Sequence, residues 1–136
     1  MLVDSSVWIA FLRGDPSVEV DMLTRALSEP RSVWLAAPIL QEVLQGADRP
    51  ERFARWDRVL GELPLLVESD GRAVAREAAH LYARCRWAGL TPRSANDCLI
   101  AVHAIGNDMP LLHCDRDFEH IARIEPRLRL LPGTQR

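Results

Sequence analysis

Met1-Leu2-Val3-Asp4-Ser5-Ser6-Val7 is an apolar run that stops at an acid followed by two hydroxyls. Pro110-Leu111-Leu112-His113-Cys114-Asp115-Arg116-Asp117 places acids after a second such run. An acid just past the carboxyl end of a strand lies at the edge where open α/β sheets bind ligands. Outward from these two stretches, apolar runs alternate with longer segments of helical periodicity. That order builds a parallel sheet covered by helices on both faces. An α/β sandwich is expected, and 136 residues with 48% hydrophobic content suit a single domain over 1–136.

Five strands are expected: 1–3, 33–36, 65–67, 111–113 and 128–131. Between them, Ser5 or Ser6 can cap an apolar helix (Val7, Trp8, Ile9, Phe11, Leu12) that stops at Gly14. A second helix starts at Pro16 and ends before Pro30. Pro38 opens a helix carrying Glu42, Val43 and Leu44 that stops at Gly46. The helix from Pro50 to Gly61 is expected to bury Phe53, Trp56, Val59 and Leu60. Asp70 caps a long helix that ends near Gly89, Ser94 caps the next, and a short helix begins at Asp117. The tail from Pro132 is expected to be loose.

Asp4, Glu42, Asp97, Asp115 and Asp117 fall at element ends or in early helical turns. Acids brought together from distant parts of a chain raise one another's pKa unless a cation lies between them, and a divalent metal is the natural cation. Each also has an ordinary structural explanation. Asp4 fits a strand-end turn, and Asp115 with Asp117 fits an Asx turn and a helix cap. Ser94-Ala95-Asn96-Asp97 matches the Ser-x-x-acid capping box. Glu42 fits a partly solvated helix acid.

Composition removes several function classes. All 17 basic residues are Arg and none is Lys, so a Schiff-base lysine and a Walker-type phosphate loop are excluded. The formal net charge of −2 becomes +3 once the five acids are set aside, so a polyanionic substrate is compatible with the rest of the surface. Cys85, Cys98 and Cys114 lack metal-ligand spacing and read as reduced thiols of a cytoplasmic protein. No apolar stretch reaches the roughly 18 residues of a membrane span, and no leader is apparent, so no membrane association is expected.

Four segments together resemble one family: Val3-Asp4-Ser5-Ser6-Val7; Pro38 with Glu42-Val43; Ala95-Asn96-Asp97-Cys98-Leu99-Ile100-Ala101; and Leu111-Leu112-His113-Cys114-Asp115-Arg116-Asp117-Phe118. In order and spacing they are similar to the PIN domain family, in particular to the VapC toxins of bacterial VapBC toxin–antitoxin modules. The resemblance runs from Leu2 to about Leu131. It implies a three-layer α/β/α sandwich on five parallel strands in the order 3-2-1-4-5. It also implies an endoribonuclease that leaves a 5′-phosphate and a 3′-hydroxyl and inhibits growth, with a VapB-type antitoxin as partner and a homodimer as the usual assembly.

The same resemblance makes Asp4 and Asp97 the principal Mg²⁺ or Mn²⁺ ligands, completed by Glu42 and Asp115, with Asp117 auxiliary. Ser5 and Ser6 match hydroxyl positions that can bond to a carboxylate or to the scissile phosphate. Cys114 stands where a small polar residue is usual. The residue types agree, because oxygen-only ligands select Mg²⁺ or Mn²⁺ over zinc. Arg93 and Arg116, beside the acids, are candidates for phosphate contact or for simple ion pairs. Arg49, Arg52, Arg55 and Arg58 drift around their helix among acids and read as a solvated face. His80, His103, His113 and His120 read as structural.

A receiver module and a haloacid-dehalogenase-type phosphatase both need a Lys that is absent. A catalytically silent binding protein is expected to have lost one of the acids. A housekeeping RNA-processing enzyme of the same family shares the motifs and stays as the alternative to a toxin.

Overall fold

The computed structural model describes residues 1–133. Its sheet consists of β1 (Leu2–Val3), β2 (Leu111–Leu112) and β3 (Leu130–Leu131), all parallel and in that spatial order. Leu2 pairs with Leu111 and Val3 with Leu112, while Leu111 and Leu112 pair onward with Leu130 and Leu131. The four residues of β1 and β2 are fully buried, which is why both strands read as unbroken apolar runs.

On the far side of β1 the sheet continues only as isolated parallel bridges, Leu2 to Trp34 and Leu35 to Leu65. The Trp34 N–H donates to the Met1 carbonyl at 3.0 Å and the Leu66 N–H to the Leu35 carbonyl at 2.7 Å. The segment expected as the second strand therefore contributes two bridges, through Trp34 and Leu35, and the segment expected as the third contributes one, through Leu65. Their sequence neighbours explain the shortening. Ala36 already caps a helix, and Leu65 and Val67 are 45% and 89% exposed, too little buried to hold a longer ladder. The bridges and strands together run from Leu65 through Leu35, Leu2 and Leu111 to Leu130, the neighbour order that the resemblance implied.

Seven helices are present among the described residues: α1 (Ser5–Arg13), α2 (Val18–Leu27), α3 (Ala37–Gln45), α4 (Pro50–Leu60), α5 (Gly71–Trp87), α6 (Ala95–Gly106) and α7 (Arg116–Ile124). α1 ends at Gly14, whose φ of 81° is the left-handed conformation glycine adopts freely. α2 begins after Ser17 rather than at Pro16, because the Ser17 hydroxyl accepts the Val20 N–H at 3.0 Å. α7 begins one residue earlier than expected because Asp115 is its cap. α1 packs on α2 and α3, and α3 on α4; α5, α6 and α7 pack on one another, and α3 meets α6. In α4 only Trp56 and Leu60 reach the core. Phe53 and Val59, expected inside, flank that stripe and are 44% and 40% exposed. Most of the tail expected to be loose lies outside the described residues.

An ion-pair cluster ties α5 to the end of α7. Buried Glu125 accepts Arg84 Nη1 at 3.1 Å and Arg127 Nε and Nη2 at 3.0 Å each, while Arg84 Nη2 reaches the Ile124 carbonyl at 2.6 Å. The Arg127 guanidinium first, then that of Arg84, hold the Glu125 carboxyl down to about 2 against the opposing push of burial. A depressed carboxylate contributes stability above its unfolded value and loses it as pH falls through the folded one. Arg84→Ala should therefore cost about 1.5–3 kcal/mol at neutral pH. It should also flatten the loss of stability below pH ~4.5. Urea unfolding at pH 7 and pH 3 measures both effects.

Candidate active site

β1 and β2 lie side by side, and each delivers an acid at its carboxyl end. The Asp4 N–H makes the last rung, to the Leu112 carbonyl at 2.9 Å, and its side chain caps α1. Asp4 Oδ2 accepts the Ser6 N–H at 3.3 Å and the Ser6 hydroxyl at 2.6 Å. Beyond β2, Asp115 caps α7 by accepting the Asp117 N–H at 2.9 Å. His113, buried beneath this turn, accepts the Asp115 N–H on Nδ1 at 3.1 Å and sets its ring edge-on to Phe118 at 5.7 Å. Its hydrogen-bond contacts are with the turn that carries Asp115 and Asp117.

Asp97 lies in the first turn of α6, but the capping box does not close around it. Ser94 accepts the Asn96 N–H at 3.2 Å, and the Asp97 carboxylate accepts no hydrogen bond from the described residues. Its carboxylate instead meets other acids: single oxygens of Asp97, Asp115 and Asp117 lie within 4.8 Å of one another. Asp97 and Asp117 are each 7% exposed and Asp4 only 4%. Asp117, expected as auxiliary, thus stands inside the tightest group, while Asp4 and Glu42 border it.

Burial, then the charges of Asp4, Asp115, Asp117 and Glu42, push the Asp97 carboxyl up to about 7. Burial also raises Asp4 above the usual carboxylate range, with a further push from Asp115, although the bonds from Ser6 oppose it. Glu42 is raised by burial and then by Asp4, and is relieved by the Ser5 hydroxyl and the Asn96 amide. Ser5 reaches Glu42 Oε1 at 3.4 Å. Both serine hydroxyls therefore serve carboxylates. Cys114 fits in the same way, its thiol donating to the Ser6 hydroxyl at 3.3 Å. Asn96, beside Asp97 in sequence, drew no attention as a site residue because an Asn in a first helical turn normally reads as local capping.

Of the two arginines beside the acids, Arg93 pairs with Asp115 at 3.0 Å and with Asp117 at 3.2 Å. Arg116 is exposed at the start of α7 and forms no ion pair among the described residues. Arg49, Arg55 and Arg58 are exposed, whereas Arg52 pairs with Asp48 at 3.0 Å and is only partly exposed, with its Nε buried.

The donor set fits a hard divalent cation. It offers only carboxylate oxygens, and its central member carries no compensating hydrogen bond. The raised Asp97 has a stability consequence. A carboxyl raised above its unfolded value favours folding at low pH, and that contribution is lost as pH rises through the folded value. In chelated protein, Asp97→Asn should therefore raise stability by at least about 1 kcal/mol at pH 8 and have little effect at pH 3, below the unfolded value. This window lies above the one set by Glu125. Denaturant unfolding at the two pH values in chelator checks the difference.

The PIN domain family profile matches residues 1–124. The chain is 38% identical over 125 residues to VapC ribonuclease Mb1587 of Mycobacterium bovis and to Ribonuclease VapC11 of Mycobacterium tuberculosis, covering 91% of this chain and 92% of each relative. Among solved structures it is similar to VapBC2 from Rickettsia felis, determined bound to a DNA fragment from its promoter. The TM-score is 0.73 at 20% identity, over 95% of both chains. That likeness concerns the fold, a three-layer α/β/α sandwich. With its profile matched from the first strand to the end of α7, the chain belongs to the PIN domain family.

Proposed function

We propose that this protein is a Mg²⁺-dependent endoribonuclease acting as the toxin of a toxin–antitoxin module. The observation that carries the reading is the gathering of Asp4, Glu42, Asp97, Asp115 and Asp117 around one sheet edge, with the central Asp97 unpaired and raised to about 7. The two mycobacterial relatives, named as ribonucleases, support it.

Asp97, Asp115 and Asp117 would hold Mg²⁺ or Mn²⁺, with Asp4 and Glu42 completing the acidic ring. When bound, the cation supplies an acidified water and neutralises charge at the phosphate. The protein's own groups do the rest. Ser6 fixes the Asp4 carboxylate and Ser5 steadies Glu42. To Glu42, steadied by Ser5 at the border of the acidic group, we assign proton exchange with the leaving oxygen. Arg116, exposed beside Asp115, is placed to receive a flanking phosphate of the RNA.

A nuclease of this kind requires restraint, and a VapB-type antitoxin is the partner we assign. The solved complexes similar in fold include toxin–antitoxin pairs, which supports this assignment. On this chain Ile9, Phe11 and Leu12 of α1 are only half-buried and Val18 of α2 is 64% exposed, leaving apolar surface on the two helices that follow Asp4 for an antitoxin segment. A basic side chain from that segment would pair with the acids and displace the cation. The toxin is expected to work as a homodimer.

The test maps RNA 5′ ends after brief induction of wild type and of Asp4→Asn, each alone and with the small protein encoded next to it. Wild type alone should create new ends and stop growth, Asp4→Asn should create none, and the neighbour should silence the wild type. Purified wild type should cut the same RNA with Mg²⁺ or Mn²⁺ and stop in excess chelator. Cleavage that persists in chelator contradicts the metal mechanism. Cleavage that no neighbouring protein restrains points to an RNA-processing enzyme instead.

A further inference from the structure

Arg93 lies in the connection between α5 and α6, after the buried Pro92. Its main-chain N–H donates to Asp117 Oδ2 at 3.1 Å and its Nε to the same oxygen at 3.2 Å, while Nη2 donates to Asp115 Oδ1 at 3.0 Å. Asp115 Oδ1 also accepts the Asp117 N–H at 2.9 Å. Each carboxylate thus has one oxygen engaged twice and the other, Asp115 Oδ2 or Asp117 Oδ1, without a hydrogen-bond partner among the described residues. The Arg93 side chain is 76% exposed, and pairs at such exposure contribute little to holding a fold together. What the planar fork supplies is geometry, since one rigid group bonded to two carboxylates fixes their relative orientation.

Two roles are open to a guanidinium so placed. As a competitor it would occupy the cation's own position and bond to Asp97 as well. Arg93 makes no bond to Asp97 and takes only those carboxylate oxygens that backbone N–H groups already hold. We propose that Arg93 is a positioning residue, setting Asp115 and Asp117 so that their free oxygens converge with Asp97 on a divalent cation. This rests on the metal-site reading above and adds to it a residue that touches the ligands from behind.

The experiment measures Mn²⁺ binding to the full chain by electron paramagnetic resonance, without RNA, for wild type, Arg93→Ala, Arg93→Lys and Asp97→Asn. Thermal unfolding in chelator checks that each variant folds. Wild type should bind and Asp97→Asn should not, which tests the site independently of Arg93. Arg93→Ala should bind about tenfold more weakly while unfolding near the wild-type temperature. Arg93→Lys keeps the charge but loses the fork, so it should stay as weak as Ala. Tighter binding by Arg93→Ala would make the guanidinium a competitor, and unchanged binding would make it a solvent-exposed ion pair. Wild-type affinity in Arg93→Lys would assign the effect to net charge. Each of these three results overturns the positioning role alone, whereas wild type that binds no Mn²⁺ overturns the metal site with it.

Discussion

Repulsion among carboxylates is the constraint around which this structure is arranged. Asp97 meets Asp115 and Asp117 within 4.8 Å, and Asp4 and Glu42 add their charge from close by. A fold gains nothing from such a gathering by itself, since burial and like charge together drive Asp97 up to about 7. The arrangement makes physical sense when the missing positive charge comes from outside the chain, as a divalent cation.

The rest of the molecule holds those acids in place against their repulsion. Two buried parallel strands end level with each other, so Asp4 and the turn that carries Asp115 leave the same edge of the sheet. Both acids then cap the helices that follow, and the caps spend one carboxylate oxygen of each on main-chain N–H groups. Ser6 and His113 add local bonds, Ser5 reaches across to Glu42, and Arg93 bridges two of the acids from the solvent side. The caps of Asp4 and Asp115 leave one oxygen of each carboxylate outside the cap, so capping is compatible with the proposed ligand role.

Much of this was legible in the sequence because it depends on local chemistry. Apolar runs ending at Asp4 and before Asp115 mark strand ends, and Gly14, Ser94 and Asp70 mark helix boundaries where the structure has them. What escaped depends on contacts between distant segments. Nothing local around 33–36 or 65–67 reveals that an early helix cap and an exposed edge reduce those strands to isolated bridges. The Ser94 to Asp97 spacing satisfies the capping-box pattern, yet Ser94 caps the Asn96 N–H and the fold leaves the Asp97 carboxylate facing the other acids. Arg93 was equally open to phosphate contact or ion pairing until the loop before α6 and the cap of α7 were seen to meet. In α4 the expected inward set was one stripe too wide, because the spacing of apolar residues does not say how broad a face the neighbouring helix covers.

The central claim, that the acidic cluster is a divalent-cation site, is tested most directly by anomalous diffraction from crystals grown with Mn²⁺. The account predicts a manganese peak coordinated by oxygens of Asp97, Asp115 and Asp117, with Arg93 still on the outer oxygens of the last two. A well-ordered cluster with no anomalous peak in saturating Mn²⁺, or a peak that leaves Asp97 outside the coordination shell, would contradict it.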